Sequence, residues 1–135
     1  MERIASALGV TLAQFFVAAE GRPPSAIVRA DSRPVLNSAW SNATLEALRD
    51  PGHDRSRLEP SLITIESGGT SGKHAQAVDN EEFAVVLDGK VNLWLDEAEE
   101  SLTSGDAVTI LAGTRRRWVN PGPSAVRILI VSRRP

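Results

Sequence analysis

Charged side chains that could pair with one another or hold an anion are unevenly distributed along this chain. Residues 79–106 carry nine acidic side chains and one basic side chain, whereas residues 107–135 carry six arginines and no acid. This segregation predicts ion pairs between neighbouring strands or a local anion site, against the simpler interpretation of a solvated surface. Because side chains alternate across a strand, an extended Arg115-Arg116-Arg117 run must direct at least one guanidinium inward.

Other reactive groups are scarce, which excludes several chemistries. The 135 residues contain no cysteine, and this rules out disulfides, thiolate metal sites and a cysteine nucleophile. His53 falls in a turn, and neither His53 nor His74 has a nucleophile partner for a Ser/His/Asp arrangement, so no catalytic residue is assigned. Trp40 lies in no motif. A net charge of −2 argues against a nucleic-acid interface over the whole surface.

The elements that must position these groups are predicted to be strands. The hydrophobic fraction of 41% is typical of a globular domain. Apolar runs bounded by turn residues predict short strands, and residues 41–48 fit either a strand or a helix; the predicted strands are residues 25–30, 62–65, 82–87, 90–95, 107–111 and 125–131. Such a series indicates an all-β sandwich or jelly roll.

Two turn motifs sharpen this prediction. Asp88-Gly89 separates two apolar runs, a pattern that predicts a β-hairpin closed by a type I′ turn. Pro121-Gly122 predicts a type II turn, in which the glycine takes a positive φ. Ser67-Gly68-Gly69 is expected to end the strand that begins at Leu62.

The N-terminal residues show a helical pattern instead. Ile4 and Leu8 are four residues apart on one face, and Gly9 is a C-cap candidate. Thr11 and Gln14 form a capping box for a second helix. The sequence therefore predicts two short N-terminal helices, followed by a Gly-Pro linker from residue 21.

The region from Gly69 to Asn120 resembles the cupin superfamily of small jelly-roll barrels, which carries two motifs. In the first, G-x5-H-x-H-x(3,4)-E-x6-G, His74 and Gln76 stand at the histidine pair and Glu82 at the acid, although the Gln76-to-Glu82 spacing is longer than the motif allows. In the second, G-x5-P-x-G-x2-H-x3-N, every spacing fits, with Arg116 in place of the histidine and Leu111 in place of the proline. The resemblance implies an all-β cupin jelly-roll barrel preceded by the two short helices.

Metal-dependent cupins use three histidines and a glutamate, and this resemblance identifies the candidate site. His74 and Glu82 are retained, Gln76 is a weaker ligand, and Arg116 cannot ligate a metal. We therefore predict no tightly bound metal and no other cofactor. Arg116 either pairs with Glu82 or binds the carboxylate or phosphate of a small ligand. Alternation from Arg116 also turns two further residues inward, so the predicted ligand-binding set is His74, Gln76, Glu82, Arg116, Trp118 and Asn120.

Residues 2–16 resemble the last two helices of the xenobiotic-response-element (XRE) helix-turn-helix domain, which a subfamily of regulators joins to a C-terminal cupin. The implied domains are 1–20, a remnant of the helix-turn-helix domain; 21–35, a linker and first strand; and 36–135, the cupin barrel. The recognition helix has no counterpart in this sequence. We therefore expect specific DNA binding only if a longer natural form carries the complete domain.

These observations lead to one functional prediction and two alternatives. The prediction is a cupin that senses a small molecule, anionic if Arg116 binds it, and forms a homodimer within a transcriptional regulator. The alternatives are a metal-independent cupin enzyme and a purely structural dimerisation cupin. No membrane span or secretion signal is evident, so a cytoplasmic location is expected.

Overall fold

The computed structural model describes residues 26–52 and 55–134, and within them the chain is built from strands. One short 3-10 helix, Ala30–Ser32, precedes them. The ten strands are β1 (Val35–Leu36), β2 (Ser41–Ala47), β3 (Leu58–Thr70), β4 (Gln76–Ala77), β5 (Glu82–Asp88), β6 (Lys90–Leu95), β7 (Ala98–Thr103), β8 (Ala107–Ile110), β9 (Arg115–Val119) and β10 (Val126–Arg133). No helix in these ranges is long and apolar enough to cross a membrane.

All strand pairs are antiparallel, and together they form a nearly closed jelly-roll barrel. The strand order is β7-β6-β9-β3-β10-β5-β8, with β2 paired to β3 and β4 paired to β9. The long strand β3 connects the two halves, because its first part pairs with β2 and β10 and its last residue, Thr70, pairs with Val119 of β9. The barrel prediction is confirmed.

Alternation along the strands places the core inside the barrel. On β10, Val126, Ile128 and Ile130 point inward and are buried, whereas Arg127 and Arg133 are exposed. The other strands contribute to the same cluster, whose largest fully buried side chains include Trp118, Ile63, Ile65, Leu93 and Ile110.

The predicted fold class, a barrel preceded by two short helices, is corrected to an all-β barrel. No α-helix occurs within residues 26–52 and 55–134. The two predicted helices fall on residues 1–20, which lie outside the described residues. Helical periodicity over so few residues is a local pattern, and helices of this length depend on tertiary packing that the pattern does not specify.

The predicted Asp88-Gly89 hairpin is wrong, although both strands beside it exist. β5 pairs with β8 and β10, whereas β6 pairs with β7 and β9, so the two strands do not pair with each other. Gly89 has a φ of +98°, but Asp88 lacks the positive φ that a type I′ turn requires. The dipeptide therefore forms a corner between the two halves of the barrel, and a corner and a hairpin share the same local sequence pattern.

Three further predictions need correction. Residues 26–30 form no strand, and Ala30 instead begins the 3-10 helix. β3 continues through Gly68 and Gly69 to Thr70, because pairing with β9 extends it. Gly122 lacks the positive φ of a type II turn, and a hydrogen bond from its N–H to Asn120 Oδ1 closes the bend instead. The ambiguous residues 41–48 prove to contain strand β2.

Candidate functional site

Arg116 and Glu82 form a bidentate ion pair at one end of the barrel. Arg116 Nε donates to Glu82 Oε1 at 3.2 Å and Nη2 donates to Oε2 at 3.4 Å. Their side chains are only 17% and 13% exposed. β9 and the start of β5 position them, and this is the first of the two arrangements predicted for Arg116. A bidentate pair fixes the orientation of the guanidinium plane as well as the position of its charge.

Trp40 covers this ion pair, and sequence reasoning gave it no role. It immediately precedes β2, packs against the core, and lies with its ring centroid 5.6 Å from the Arg116 guanidinium carbon. That distance is within the range of a cation–π interaction. Trp40 lies in no motif and reaches Arg116 only because β2 packs onto β3, so no local signal in the sequence reveals the contact.

Strand register places two other residues directly beside Arg116. Gln76 is its partner on β4, and Leu95 is its partner on β6. Paired residues of antiparallel strands share a face, so Gln76, Leu95 and Arg116 form a row across the sheet. Gln76 is exposed and Leu95 is partly buried, which gives the row a polar end and an apolar end.

The other predicted site residues do not all join this row. His74 is exposed in the bend before β4. Trp118 is fully buried in the core, and its Nε1 has no acceptor among the residues that the structure describes. Asn120 is fully buried, and its Nδ2 donates to the carbonyl oxygens of Ile65 at 2.9 Å and Ser124 at 2.8 Å. The Asn120 amide thus fixes the bend after β9, and its role in ligand binding stays a prediction.

The residues at this end of the barrel do not fit a metal ion. Both Glu82 carboxylate oxygens accept hydrogen bonds from Arg116, and the positively charged guanidinium beside them cannot ligate a metal ion and repels one. Within residues 26–52 and 55–134, no three His, Cys, Asp or Glu side chains are grouped as a metal site would require. Arg116 and Glu82 themselves supply charge pairing and hydrogen bonding.

A separate surface depression of about 740 Å³ lies outside the barrel, between the β6–β7 pair and the bend after β9. Lys90, Asn92 and Ser101 line one side, and Pro121 and Pro123 line the other. Asn92 Nδ2 donates to Glu99 Oε2 at 3.1 Å. This depression contains none of the Arg116, Glu82 and Trp40 group.

Comparison with known proteins identifies a family that shares this barrel. Residues 61–132, more than half of the chain, match the sequence profile of the family described as cupin domain. No curated protein matches the chain.

Three solved structures illustrate the range of proteins that share the fold. The Cupin_2 domain of an XRE-family transcriptional regulator from Enterobacter cloacae has a TM-score of 0.61 and 16% identity, covering 70% of this chain and 98% of that one. The polyketide cyclase RemF from Streptomyces resistomycificus has 0.68 and 20%, covering 78% and 77%. A sugar phosphate isomerase from Silicibacter pomeroyi has 0.67 and 21%, covering 80% and 75%.

Proposed function

The chain belongs to the cupin family, and from this premise we propose that it is the small-molecule-sensing and dimerising module of a transcriptional regulator. The observation that supports a sensing role best is the Arg116–Glu82 pair beneath Trp40. By the cupin resemblance, these two residues stand at motif positions where metal-dependent cupins have metal ligands. The likeness to a regulator's cupin domain agrees with this role.

The ion pair restricts the chemistry of the effector. A ligand that bound only the guanidinium would leave the Glu82 carboxylate unpaired with 13% of its side chain exposed. Removing one partner of a buried pair in this way is strongly destabilising. An effector that replaces the pair must therefore offer an acid group to Arg116 and an N–H or O–H donor to Glu82. Amino acids and hydroxy acids meet both requirements.

The neighbours of the pair supply the rest of the proposed site. Trp40 provides an aromatic face over Arg116, and Leu95 provides an apolar contact beside it. Gln76, on the other side of Arg116, can donate and accept hydrogen bonds from an exposed position. We place His74 and Trp118 at the edge of the proposed ligand site. Asn120 supports the site by fixing the bend after β9.

The role in transcriptional regulation is the part of the proposal that depends on sequence resemblance. Residues 1–20 lie outside the described residues, and their likeness to the end of a helix-turn-helix domain stays a prediction, as does the division into 1–20, 21–35 and 36–135. We propose specific DNA binding only for a form with a complete domain of that kind, acting in the cytoplasm.

A structural dimerisation module is the second candidate, because the same bidentate pair could simply close the end of the barrel. The two candidates differ in whether the pair opens for a ligand. Thermal unfolding of the chain in the presence of a panel of amino acids and hydroxy acids separates them. A ligand at about a hundred times its Kd stabilises the folded state by about 2.7 kcal/mol.

We expect at least one compound of the panel to raise the unfolding temperature of the wild type and to lose this effect in Arg116→Gln. Arg117→Gln is the matched control, because Arg117 lies on the same strand but donates from Nε to the Gly72 carbonyl oxygen at 2.6 Å. A panel without any stabilising compound would contradict the sensing role and support the structural one.

A further inference from the structure

The depression beside Lys90 has one wall made by strands on the outside of the barrel. Val91 and Leu93 of β6 are fully buried, so alternation turns Lys90 and Asn92 to the outer side of the sheet. Ser101 of β7 pairs with Asn92 and shares that side. These three outward side chains line the depression together. The wall therefore offers an ammonium group, an amide and a hydroxyl to a bound molecule.

The bend after β9 forms the opposite wall and presents two proline rings, Pro121 and Pro123. The buried Asn120 amide holds this bend, because its Nδ2 donates to the Ser124 carbonyl oxygen at 2.8 Å and its Oδ1 accepts from the Gly122 N–H at 3.1 Å. Each proline ring also fixes its own φ. The wall is thus formed before any ligand arrives, so binding costs little conformational entropy.

The charge and size of the depression restrict what it can bind. Among the described residues that line it, Lys90 alone carries a charge. Lys90 is exposed, and no ion pair joins it to another residue within 26–52 and 55–134. The volume of about 740 Å³ falls within the range of small-molecule sites. The depression therefore combines one unpaired positive charge with an apolar wall at ligand size.

We propose that this depression binds a small aromatic acid, with the acid group on the Lys90 ammonium and the ring against Pro121 and Pro123. Proline side chains pack well against aromatic rings, as they do when aromatic-lined grooves bind proline-rich peptides. Ser101 donates a hydrogen bond to the second oxygen of the acid, and the Asn92 side-chain oxygen accepts one from a hydroxyl on the ring. An aromatic ring supplies a large apolar area with few internal rotations to restrict.

Other classes of ligand satisfy one wall and not the other. A bare inorganic anion would contact Lys90 but would leave the faces of Pro121 and Pro123 uncovered. A neutral apolar molecule would cover the prolines but would shield the ammonium from water without offering it an acceptor, which is unfavourable. An acid group carried on an aromatic ring satisfies both walls at once.

This inference goes beyond the proposed function and does not depend on it. Arg116 and Glu82 lie at one end of the barrel, and neither residue lines the depression. A variant of Arg116 and a variant of Lys90 therefore report on two different sites. Failure of either proposal leaves the other standing.

Calorimetric titration of the full chain with 2-naphthoate tests the proposal. We expect saturable binding with a Kd of about 1 mM or lower. The neutral 2-naphthamide keeps the ring without the charge and should bind about tenfold more weakly, whereas acetate keeps the charge without the ring and should bind about a hundredfold more weakly. Because Lys90 is exposed, raising the salt concentration should weaken the binding of 2-naphthoate.

The two lysines of the chain, Lys73 and Lys90, allow the bound molecule to be located. Reductive methylation with ¹³C-formaldehyde labels both ammonium groups and keeps their charge. Lys73→Arg and Lys90→Arg then assign the two methyl signals in NMR spectra. The ring current of bound 2-naphthoate should shift the Lys90 signal along the calorimetric binding curve. The Lys73 signal should stay in place, because Lys73 is exposed in the bend before β4.

Variants of the lining complete the test. Lys90→Gln should weaken the binding of 2-naphthoate about tenfold, and Lys90→Arg should restore it. Ser101→Tyr should abolish binding by filling the depression, and an exposed strand position accepts a tyrosine. Lys73→Gln and Arg116→Gln are the controls and should bind like the wild type.

Four results would overturn the proposal. The first is a titration that does not approach saturation by about 10 mM 2-naphthoate. The second is equal affinity for 2-naphthoate and 2-naphthamide, and the third is a Lys90 methyl signal that does not move. The fourth is binding that Arg116→Gln abolishes and Lys90→Gln leaves unchanged, because this would place the compound at the end of the barrel.

Discussion

Replacing Arg116 by methionine should destabilise the fold by an amount that the geometry of its ion pair sets. The substitution keeps an unbranched side chain of similar length but leaves the Glu82 carboxylate without its two donors. Breaking a fully buried pair by removing one partner costs about 3–5 kcal/mol. Here 17% and 13% of the two side chains remain exposed, so solvent recovers part of that amount.

We expect a loss of about 2–3 kcal/mol, which includes about 0.5–1 kcal/mol from the lost contact between the guanidinium and Trp40. For a chain of this size the loss corresponds to a fall of about 8–12 °C in Tm. Urea unfolding followed by tryptophan fluorescence measures it. Arg115→Met is the control: Arg115 is 54% exposed and lies 3.9 Å from Asp96, so its removal should change stability by less than about 0.5 kcal/mol.

A double-mutant cycle separates the ion pair from general packing. Glu82→Gln alone should lower the free energy of unfolding by about 1–2 kcal/mol. The loss in the double variant Arg116→Met/Glu82→Gln should be about 1–2 kcal/mol smaller than the sum of the two single losses, because neither charge is then left unpaired. Losses that add within about 0.5 kcal/mol would show that the two side chains do not interact in solution.

Two further variants test how the barrel is held together. Asn120→Ala removes a fully buried amide that makes hydrogen bonds to Ile65, Ser124 and Gly122, and urea unfolding should show a loss of about 2–4 kcal/mol; a loss below about 1 kcal/mol would contradict this role. Gly89→Ala should lower the free energy of unfolding by about 1–3 kcal/mol, because Gly89 has a φ of +98° and a Cβ there would lie 3.0 Å from the Ala125 carbonyl oxygen. Gly105→Ala is the control and should cost less, because Gly105 has a similar φ of +92° but no atom within 4 Å of the added Cβ. Equal losses in the two variants would contradict the close approach at Gly89.

The fold was predictable where the signal is periodic. Strands such as β5, β6 and β10 have alternating or continuous apolar runs, and the two cupin motifs placed them in one barrel. The Asp88-Gly89 corner was not predictable, because the dipeptide pattern reports a change of direction and not which strands pair. β7 was missed entirely, since its burial pattern is almost wholly exposed and its sequence lacks an apolar face.

Part of the site was likewise predictable from the sequence, and part was not. The motif spacing identified Arg116 and Glu82, and their charges predicted the pair as one of two arrangements, the other being a free Arg116 that binds the acid group of a ligand. Trp40 could not be found from the sequence, because tertiary packing of β2 brings it to Arg116. The roles of His74 and Asn120 were also beyond the sequence: one is exposed, and the backbone engages the amide of the other.

In the proposed sensing mechanism, a ligand with an acid group and a neighbouring donor replaces the contact between Arg116 and Glu82. A crystal structure of the wild-type chain grown with the amino acid or hydroxy acid that stabilises it most tests this claim directly. We expect to find the ligand's acid group on the Arg116 guanidinium, its donor on the Glu82 carboxylate, and Trp40 against the rest of the ligand. An intact Arg116–Glu82 pair with the compound bound elsewhere, for example in the depression beside Lys90, would contradict it.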